Sequence, residues 1–147
     1  MALALDRMIA PATGAPVRLD ISVVFTSVTA TLGALKEAGN LAKSLGGRIT
    51  LIVPQIVPYP LPLSSPPVPL DFSEHRLWVI ANDCRVETRV SIYLCRDALE
   101  TLQSVLQPAS LVVVGKRKSK RWWPTAEARL VAKLRHLGHQ VVVTEWE

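Results

Sequence analysis

Short apolar runs rich in β-branched residues alternate along this chain with segments whose apolar residues recur at helical spacing. Repeated alternation of this kind forms βαβ units, in which each helix returns the chain to begin a parallel strand. Five runs have strand character, at residues 20–26, 48–53, 86–94, 110–115 and 140–144. Helical spacing occurs between them, at residues 29–45, 72–82, 97–106 and 124–137. The alternation predicts an α/β fold of flavodoxin size, with a five-stranded parallel sheet inside a three-layer α/β/α arrangement.

Residues at the ends of these segments support the assignment. Gly46 ends the first helical segment, and Pro124 suits the first turn of the last one, which stops at Gly138. The run 110–115 is continuously apolar, as in a parallel strand that is buried on both faces. The run 86–94 instead alternates apolar and polar residues, which predicts one wetter face and a place near the sheet edge.

Prolines and glycines mark the parts of the chain that do not fit the alternation. Residues 1–19 carry two prolines and a glycine without apolar periodicity, which predicts a flexible leader before a single domain over 20–147. Seven of the 11 prolines fall within 54–70, where fixed φ angles and missing N–H groups exclude a helix or a central strand. This segment is expected to form a long structured loop, and a PxxP ligand for a partner domain is the alternative.

The excess positive charge of the chain is confined to one segment. The formal net charge is +5, from 17 basic and 12 acidic residues, and five of the basic residues lie within 116–121. The remaining basic and acidic residues are equal in number, which argues against nucleic acid as a partner. No apolar run reaches the roughly 18–20 residues that cross a bilayer. Asp6 and Arg7 interrupt the first apolar stretch, which excludes a secretory signal. We therefore expect a cytoplasmic protein without a membrane partner.

Residue types that carry catalysis or bind metals are sparse and scattered. Cys84 and Cys95 form no CxxC pair and have no histidine at metal-ligand spacing, so the sequence predicts reduced thiols and no metal site. No motif of a serine hydrolase, a metalloprotease or a P-loop occurs. His136 and His139 flank the end of the last helical segment, at the sheet edge opposite to the usual ligand edge. The sequence therefore predicts a binding protein rather than an enzyme.

Three stretches of the chain resemble the universal stress protein family. They are, in chain order, LAKSLGGRITLIVP, LVVVG and LRHLGHQVVVTE, and the resemblance covers about residues 20–145. It implies an adenine nucleotide alpha hydrolase-like sheet with strand order 3-2-1-4-5, and a regulatory role in the stress response. Many members of the family dimerise through the last strand. The resemblance therefore implies a homodimer contact at Val141, Val143 and Trp146.

The family's ATP-binding motif is degenerate in this chain. Members that bind ATP carry an Asp at the end of the first strand, and G-x2-G-x9-G-(S/T) after the fourth, where backbone amides hold the phosphates. Thr26 stands in place of the Asp, and Gly115 matches the first glycine. Lys118, Ala128 and Arg129 occupy the remaining positions of the motif. The sequence thus implies no resident cofactor, and it leaves ATP or another nucleotide as a ligand to be tested.

A basic segment at residues 115–121 follows the fourth strand, where the family holds phosphates. Three interpretations stay open: a solvated loop left by a decayed site, a site for a nucleotide or another polyanion, and a macromolecular contact made with Trp122 and Trp123. The polyanion interpretation uses residues after the first and fourth strands, and the resemblance adds one position beside an adenine. This ligand set is Thr26, Ser27, Val53, Gly115, Lys116, Arg117 and Lys118. Ser27 is also a candidate helix cap.

Overall fold

The strands of the described residues form one sheet. The structure, a computed structural model, describes residues 3–8, 19–63, 87–117 and 125–146. The strands in these ranges are β1 (Leu3–Met8), β2 (Asp20–Val24), β3 (Arg48–Ile56), β4 (Thr88–Cys95), β5 (Leu111–Arg117) and β6 (Gln140–Trp146). They lie in the order β1-β4-β3-β2-β5-β6. Strands β2 to β6 are mutually parallel, so the predicted five-stranded parallel sheet with strand order 3-2-1-4-5 is confirmed.

β1 is an additional strand that is not predicted from the sequence. It pairs antiparallel with β4, from Leu3 opposite Leu94 to Met8 opposite Arg89, so β4 lies between two strands and not at the sheet edge. The strand falls in the segment for which a flexible leader is predicted, and residues 3–8 are paired instead. The sequence of this segment shows little strand periodicity of its own. It forms a strand because the backbone of β4 supplies the hydrogen-bonding partners of an antiparallel ladder.

β3 continues three residues beyond its predicted end, to Ile56, and so enters the proline-rich segment. The prediction that prolines exclude a central strand is wrong at Pro54, and the ladder explains why. The N–H of Phe25 donates a hydrogen bond of 2.9 Å to the carbonyl oxygen of Ile52, so the backbone groups of Ile52 point toward β2. Pro54 lies two residues further along the strand, so its backbone nitrogen and carbonyl point the same way. Since β2 ends at Val24, no ladder bond is lost where the Pro54 N–H is missing. The rest of the segment from residue 64 lies outside the described residues.

Each described helix begins beside a side chain that caps its first turn. The helices are α1 (Val28–Leu45), α2 (Ala98–Val105) and α3 (Ala126–His136). Three residues accept a hydrogen bond from the N–H group three positions ahead and act as N-caps, namely Ser27, Asp97 and Thr125. α1 ends at Gly46, whose φ of 70° is a left-handed conformation that glycine adopts readily. The helix predicted at 72–82 lies outside the described residues.

The sheet carries helices on both of its faces. On one face α1 packs on β2, β5 and β6, over a core that includes Ile21, Leu51 and Val113. On the other face α2 packs on β3 and β4 while α3 packs on β5 and β6, over a second core that includes Leu102 and Leu134. The central strand β2 therefore lies beneath a gap between α2 and α3. None of these helices has the length and apolar character that crossing a bilayer requires.

Candidate functional site

The strand order reverses between β2 and β5, and ligands of open parallel sheets bind beside such a point, at the carboxyl ends of the strands. A loop is expected there after Gly115, the last residue of the fourth predicted strand. β5 instead continues to Arg117 and stays paired with β6, with Lys116 opposite Glu145. The expectation of a loop is wrong for Lys116 and Arg117, because the last two residues of β6 extend the ladder beside them.

Helix α1 occupies the space at this point on its own face of the sheet. The backbone of Gly115 lies so close to α1 that a Cβ atom added to it would clash with the carbonyl oxygen of Ala30. The hydroxyl of Thr26 donates a hydrogen bond of 2.9 Å to the Gly115 carbonyl oxygen. The N–H of Thr26 donates one of 3.2 Å to Thr31 Oγ1. Thr26 therefore ties β2 to β5 and α1, at the place where the predicted resemblance implies a nucleotide site.

Ser27 and Val53 contribute to the folded structure rather than to an open site. Ser27 caps α1, and its Oγ accepts a hydrogen bond of 3.3 Å from the N–H of Ala30. Val53 is buried in the core that α1 covers. The structure thus brings Thr26, Ser27 and Gly115 together around the start of α1, whereas the side chain of Val53 belongs to the core beneath that helix.

Of the cations predicted for the site, Lys116 has a partner in the structure, whereas the side chains of Arg117 and Lys118 lie outside the described residues. Lys116 Nζ lies 3.6 Å from Glu145 Oε1 across the β5–β6 ladder, so this charge is already balanced. Nothing is described of the Arg117 side chain, and Lys118 and both neighbouring tryptophans belong to residues 118–124, which the structure does not describe. The macromolecular contact at this segment stays a prediction.

A cavity of about 640 Å³ opens between α2 and α3 at the carboxyl ends of the strands, and we call it the α2–α3 cavity. Its volume lies within the range of pockets that bind small molecules. Of the predicted ligand residues that the structure describes, Thr26 lines it and the others do not. The floor and walls are largely apolar, formed by Val24, Phe25, Pro54, Ile56, Leu99, Leu102 and Leu130.

Ionisable side chains surround this apolar lining, and among the described ones more are cationic than anionic. They are Arg96, Asp97, Glu127, Arg129 and Lys133. Arg96 donates a hydrogen bond of 2.7 Å to the Val57 carbonyl oxygen and lies 4.0 Å from the centre of the Tyr59 ring. Asp97 caps α2, accepting a hydrogen bond of 3.0 Å from the N–H of Glu100. The side chains of Arg129 and Lys133 have no hydrogen bond or ion pair with another residue of the described ranges.

The α3 side of the cavity is not predicted from the sequence, which indicates Arg129 only as a mismatch with the glycine motif. Ala126, Leu130 and Lys133 recur with Arg129 at helical spacing, which puts all four on one face of α3. That spacing was the available signal. No sequence pattern gives the distance between α2 and α3, which is what opens the cavity.

A second, smaller cavity of about 350 Å³ lies at the amino ends of the strands, beside the segment that joins α2 to β5. Its polar lining is already bonded in part, since the Thr50 hydroxyl donates a hydrogen bond of 2.8 Å to Asp20 Oδ1. His139 belongs to this edge of the sheet, where its Nδ1 accepts a hydrogen bond of 3.2 Å from the Ser110 N–H. This histidine therefore fixes the start of β5 and lies away from the α2–α3 cavity.

β6 is an edge of the described sheet, with β5 as its neighbour. The side chains of Val141 and Val143 pack toward the second core and that of Val142 toward the first, so all three are used within the domain. The N–H of Gln140 donates to β5, which directs the N–H groups of Val141 and Val143 away from the sheet. A partner strand would therefore meet the backbone of β6. The side chain of Trp146 lies outside the described residues.

No known family model matches this chain, and no curated protein matches it either. The likeness to universal stress proteins therefore stays a prediction. The described residues hold no group of three or more side chains suited to bind a metal ion. Cys95 is a buried free thiol, and Cys84 lies outside the described residues.

Proposed function

We propose that this chain is a non-catalytic, regulatory binding domain similar to universal stress proteins, and that it takes an anionic small molecule in the α2–α3 cavity. The observation that carries the proposal is the cavity itself, which lies at the carboxyl ends of β2, β3 and β4 and has more cations than carboxylates among its described lining residues. Parallel sheets bind their ligands at this edge. The site differs from the nucleotide site that the resemblance implies, since Gly115 and Lys116 do not line it.

The proposal that the domain binds its ligand without turnover draws on the hydrogen bond that the Thr26 hydroxyl makes. Thr26 is the one hydroxyl-bearing residue of the described cavity lining. Its proton is donated to the Gly115 carbonyl oxygen, and a carbonyl oxygen is not a base that could activate a nucleophile. The Thr26 hydroxyl is therefore not activated as a nucleophile, which favours binding without reaction.

Blocking the mouth of the cavity tests the proposal. Ala126 is exposed at the first position of α3 and lines the cavity, so Ala126→Phe should place a ring in the mouth without disturbing the core. Ala132→Phe is the matched control, because Ala132 is exposed on the same helix and does not line the cavity. Wild type and both variants are titrated with AMP, ATP, tripolyphosphate and alkyl carboxylates in thermal-shift and calorimetric assays at near-physiological salt.

We expect saturable stabilisation of the wild type by at least one of these anions, about 2.7 kcal/mol at 100 times its dissociation constant. The shift should be lost in Ala126→Phe and kept in Ala132→Phe. A wild type that responds to none of the anions, or a response that Ala126→Phe leaves unchanged, would overturn the assignment of function to this cavity.

As part of the same proposal, the domain forms a homodimer in which two copies pair through β6. The outward-facing backbone of this edge strand supports the pairing. Val143→Pro removes one outward N–H group and leaves the β5 ladder complete, and Val143→Thr is the control. Light scattering should give about 32 kDa for wild type and Val143→Thr, twice the 16.1 kDa of one chain, and a monomer for Val143→Pro. A monomeric wild type at all concentrations would contradict the dimer.

A further inference from the structure

We infer that the ligand of the α2–α3 cavity is an amphipathic monoanion, with an alkyl or similar apolar body that ends in a single carboxylate. The inference rests on the proposed function, because it names the ligand class of the same cavity. It departs from the nucleotide that the family resemblance implies. The apolar floor of the cavity and the number and position of the charges around it carry the argument.

The floor of the cavity offers apolar surface to whatever enters it. Val24 and Leu102 lie almost fully buried at its base, whereas Ile56 keeps 44% of its surface exposed at the end of β3. Removing such apolar surface from water favours a ligand with an apolar body. A ribose would need polar partners along its length, and in the described lining these lie around the floor rather than in it: Asp97 caps α2, Glu127 lies on α3, and the Thr26 hydroxyl donates to Gly115. The floor therefore suits a hydrocarbon better than a nucleoside.

Two cations on α3 supply a place for one anionic group. Arg129 and Lys133 are four residues apart and both line the cavity, so they are neighbours on one helix face, with Cβ atoms roughly 5–6 Å apart. A single carboxylate can reach both side chains from that position. Neither side chain is paired with another described residue, whereas Arg96 is held by Val57 and Tyr59. The anionic group therefore belongs at α3, and the apolar body extends toward α2 and β3.

The sum of the charges in the described lining discriminates between a monoanion and a polyphosphate. Arg96, Arg129 and Lys133 against Asp97 and Glu127 leave one net positive charge. One carboxylate neutralises that charge. A nucleoside triphosphate would leave several negative charges unbalanced beside two carboxylates, and juxtaposed like charges disfavour binding. Among the described residues of the lining, the charge balance thus favours a monoanion over a polyphosphate.

A chain-length series tests the apolar part of the inference. Hexanoate, octanoate and decanoate are titrated into the full-length protein by calorimetry, with AMP and ATP as the competing ligand class. Each added methylene that reaches the floor should tighten binding by about fourfold. All binding should be lost in Ala126→Phe and kept in Ala132→Phe, with circular dichroism confirming that both variants are folded.

Neutralising the two cations tests the anionic part. Arg129→Gln and Lys133→Gln should each weaken octanoate binding by about two- to fivefold, as expected for exposed charge pairs, and the effect should shrink at high salt. Binding of the neutral octan-1-ol should not change in either variant. Lys36→Gln is the control, since Lys36 is exposed on α1, on the opposite face of the sheet.

The outcomes separate this inference from the function on which it rests. Carboxylate binding that grows with chain length, needs both cations and is blocked by Ala126→Phe supports the inference. If AMP or ATP binds in an Ala126→Phe-sensitive way and the carboxylates do not, the inference is overturned while the function stands. If no ligand of either class binds, both fall. Carboxylate binding that Ala126→Phe leaves intact would also overturn the inference, because the ligand would lie elsewhere.

Discussion

Replacing Gly115 by alanine should destabilise the domain strongly, because α1 rests directly on this residue. The added methyl group would overlap the carbonyl group of Ala30 and lie 3.1 Å from its Cβ. The obstacle is mainly main chain, which cannot rotate aside as a flexible side chain can. The start of α1 is also held in place by the 2.9 Å hydrogen bond from Thr26 to Gly115 and by the Ser27 cap. The first turn of α1 must therefore move off the sheet.

The magnitude follows from the kind of contact. Overpacking a core typically costs about 1–3 kcal/mol, and overlap with main-chain atoms places Gly115→Ala at the upper end of that range. We therefore expect the free energy of unfolding to fall by about 3 kcal/mol. For a domain of this size, that corresponds to a decrease of roughly 6–12 °C in the melting temperature.

Urea unfolding followed by circular dichroism and tryptophan fluorescence measures the change, and Gly33→Ala is the matched control. The nearest atom to a Cβ at Gly33 is Thr144 Oγ1 at 3.9 Å, so the methyl group has room. Because Gly33 lies inside α1, its replacement by alanine should stabilise the domain by about 0.5–1 kcal/mol. A Gly115→Ala variant as stable as wild type, beside a stabilised Gly33→Ala variant, would refute the close approach of α1 to β5.

Three further substitutions have expected effects on stability. Ser27→Ala removes the acceptor for the Ala30 N–H and should cost about 1 kcal/mol in urea unfolding, whereas Ser27→Asp should restore most of it. Lys116→Gln breaks a half-exposed ion pair with Glu145, so the loss should stay below about 1 kcal/mol and vanish at high salt, and a salt-independent loss would contradict the pairing. Leu102→Ala truncates a fully buried side chain and should cost about 2–5 kcal/mol, and a loss below 1 kcal/mol would contradict its burial.

The sheet could be predicted because its signals are local and repeated. Each strand from β2 to β6 carries an apolar run, and the described helices begin at residues whose side chains cap them, such as Asp97. The extension of β5 was harder to foresee, because it depends on pairing between distant residues. The opposite charges of Lys116 and Glu145 were a usable signal, but only once the two strands were placed side by side. β3 likewise continues through Pro54 only because β2 ends early.

The candidate site could not be predicted to the same extent. Thr26 was assigned to the correct edge of the sheet, but its hydrogen bond to Gly115 depends on how closely α1 approaches β5. The α2–α3 cavity depends on how far apart two helices lie above β2. Periodicity indicates which face of a helix is buried, as it does for Leu102 in α2 and Leu134 in α3. It does not give the lateral distance between the two helices.

β1 has a consequence for the order in which the domain folds. Its register joins Leu3 to Leu94, residues 91 positions apart, whereas Leu111 of β5 pairs with Gln140 only 29 positions away. Closing a longer loop costs more chain entropy, and this cost must be met before the contact stabilises anything. We therefore expect the β2–β3 and β5–β6 pairs, which join residues 28 and 29 positions apart, to form first. The β1–β4 and β2–β5 contacts, which join residues 91 and 90 positions apart, should close later. The amino terminus then adds protection to β4 without belonging to the folding nucleus.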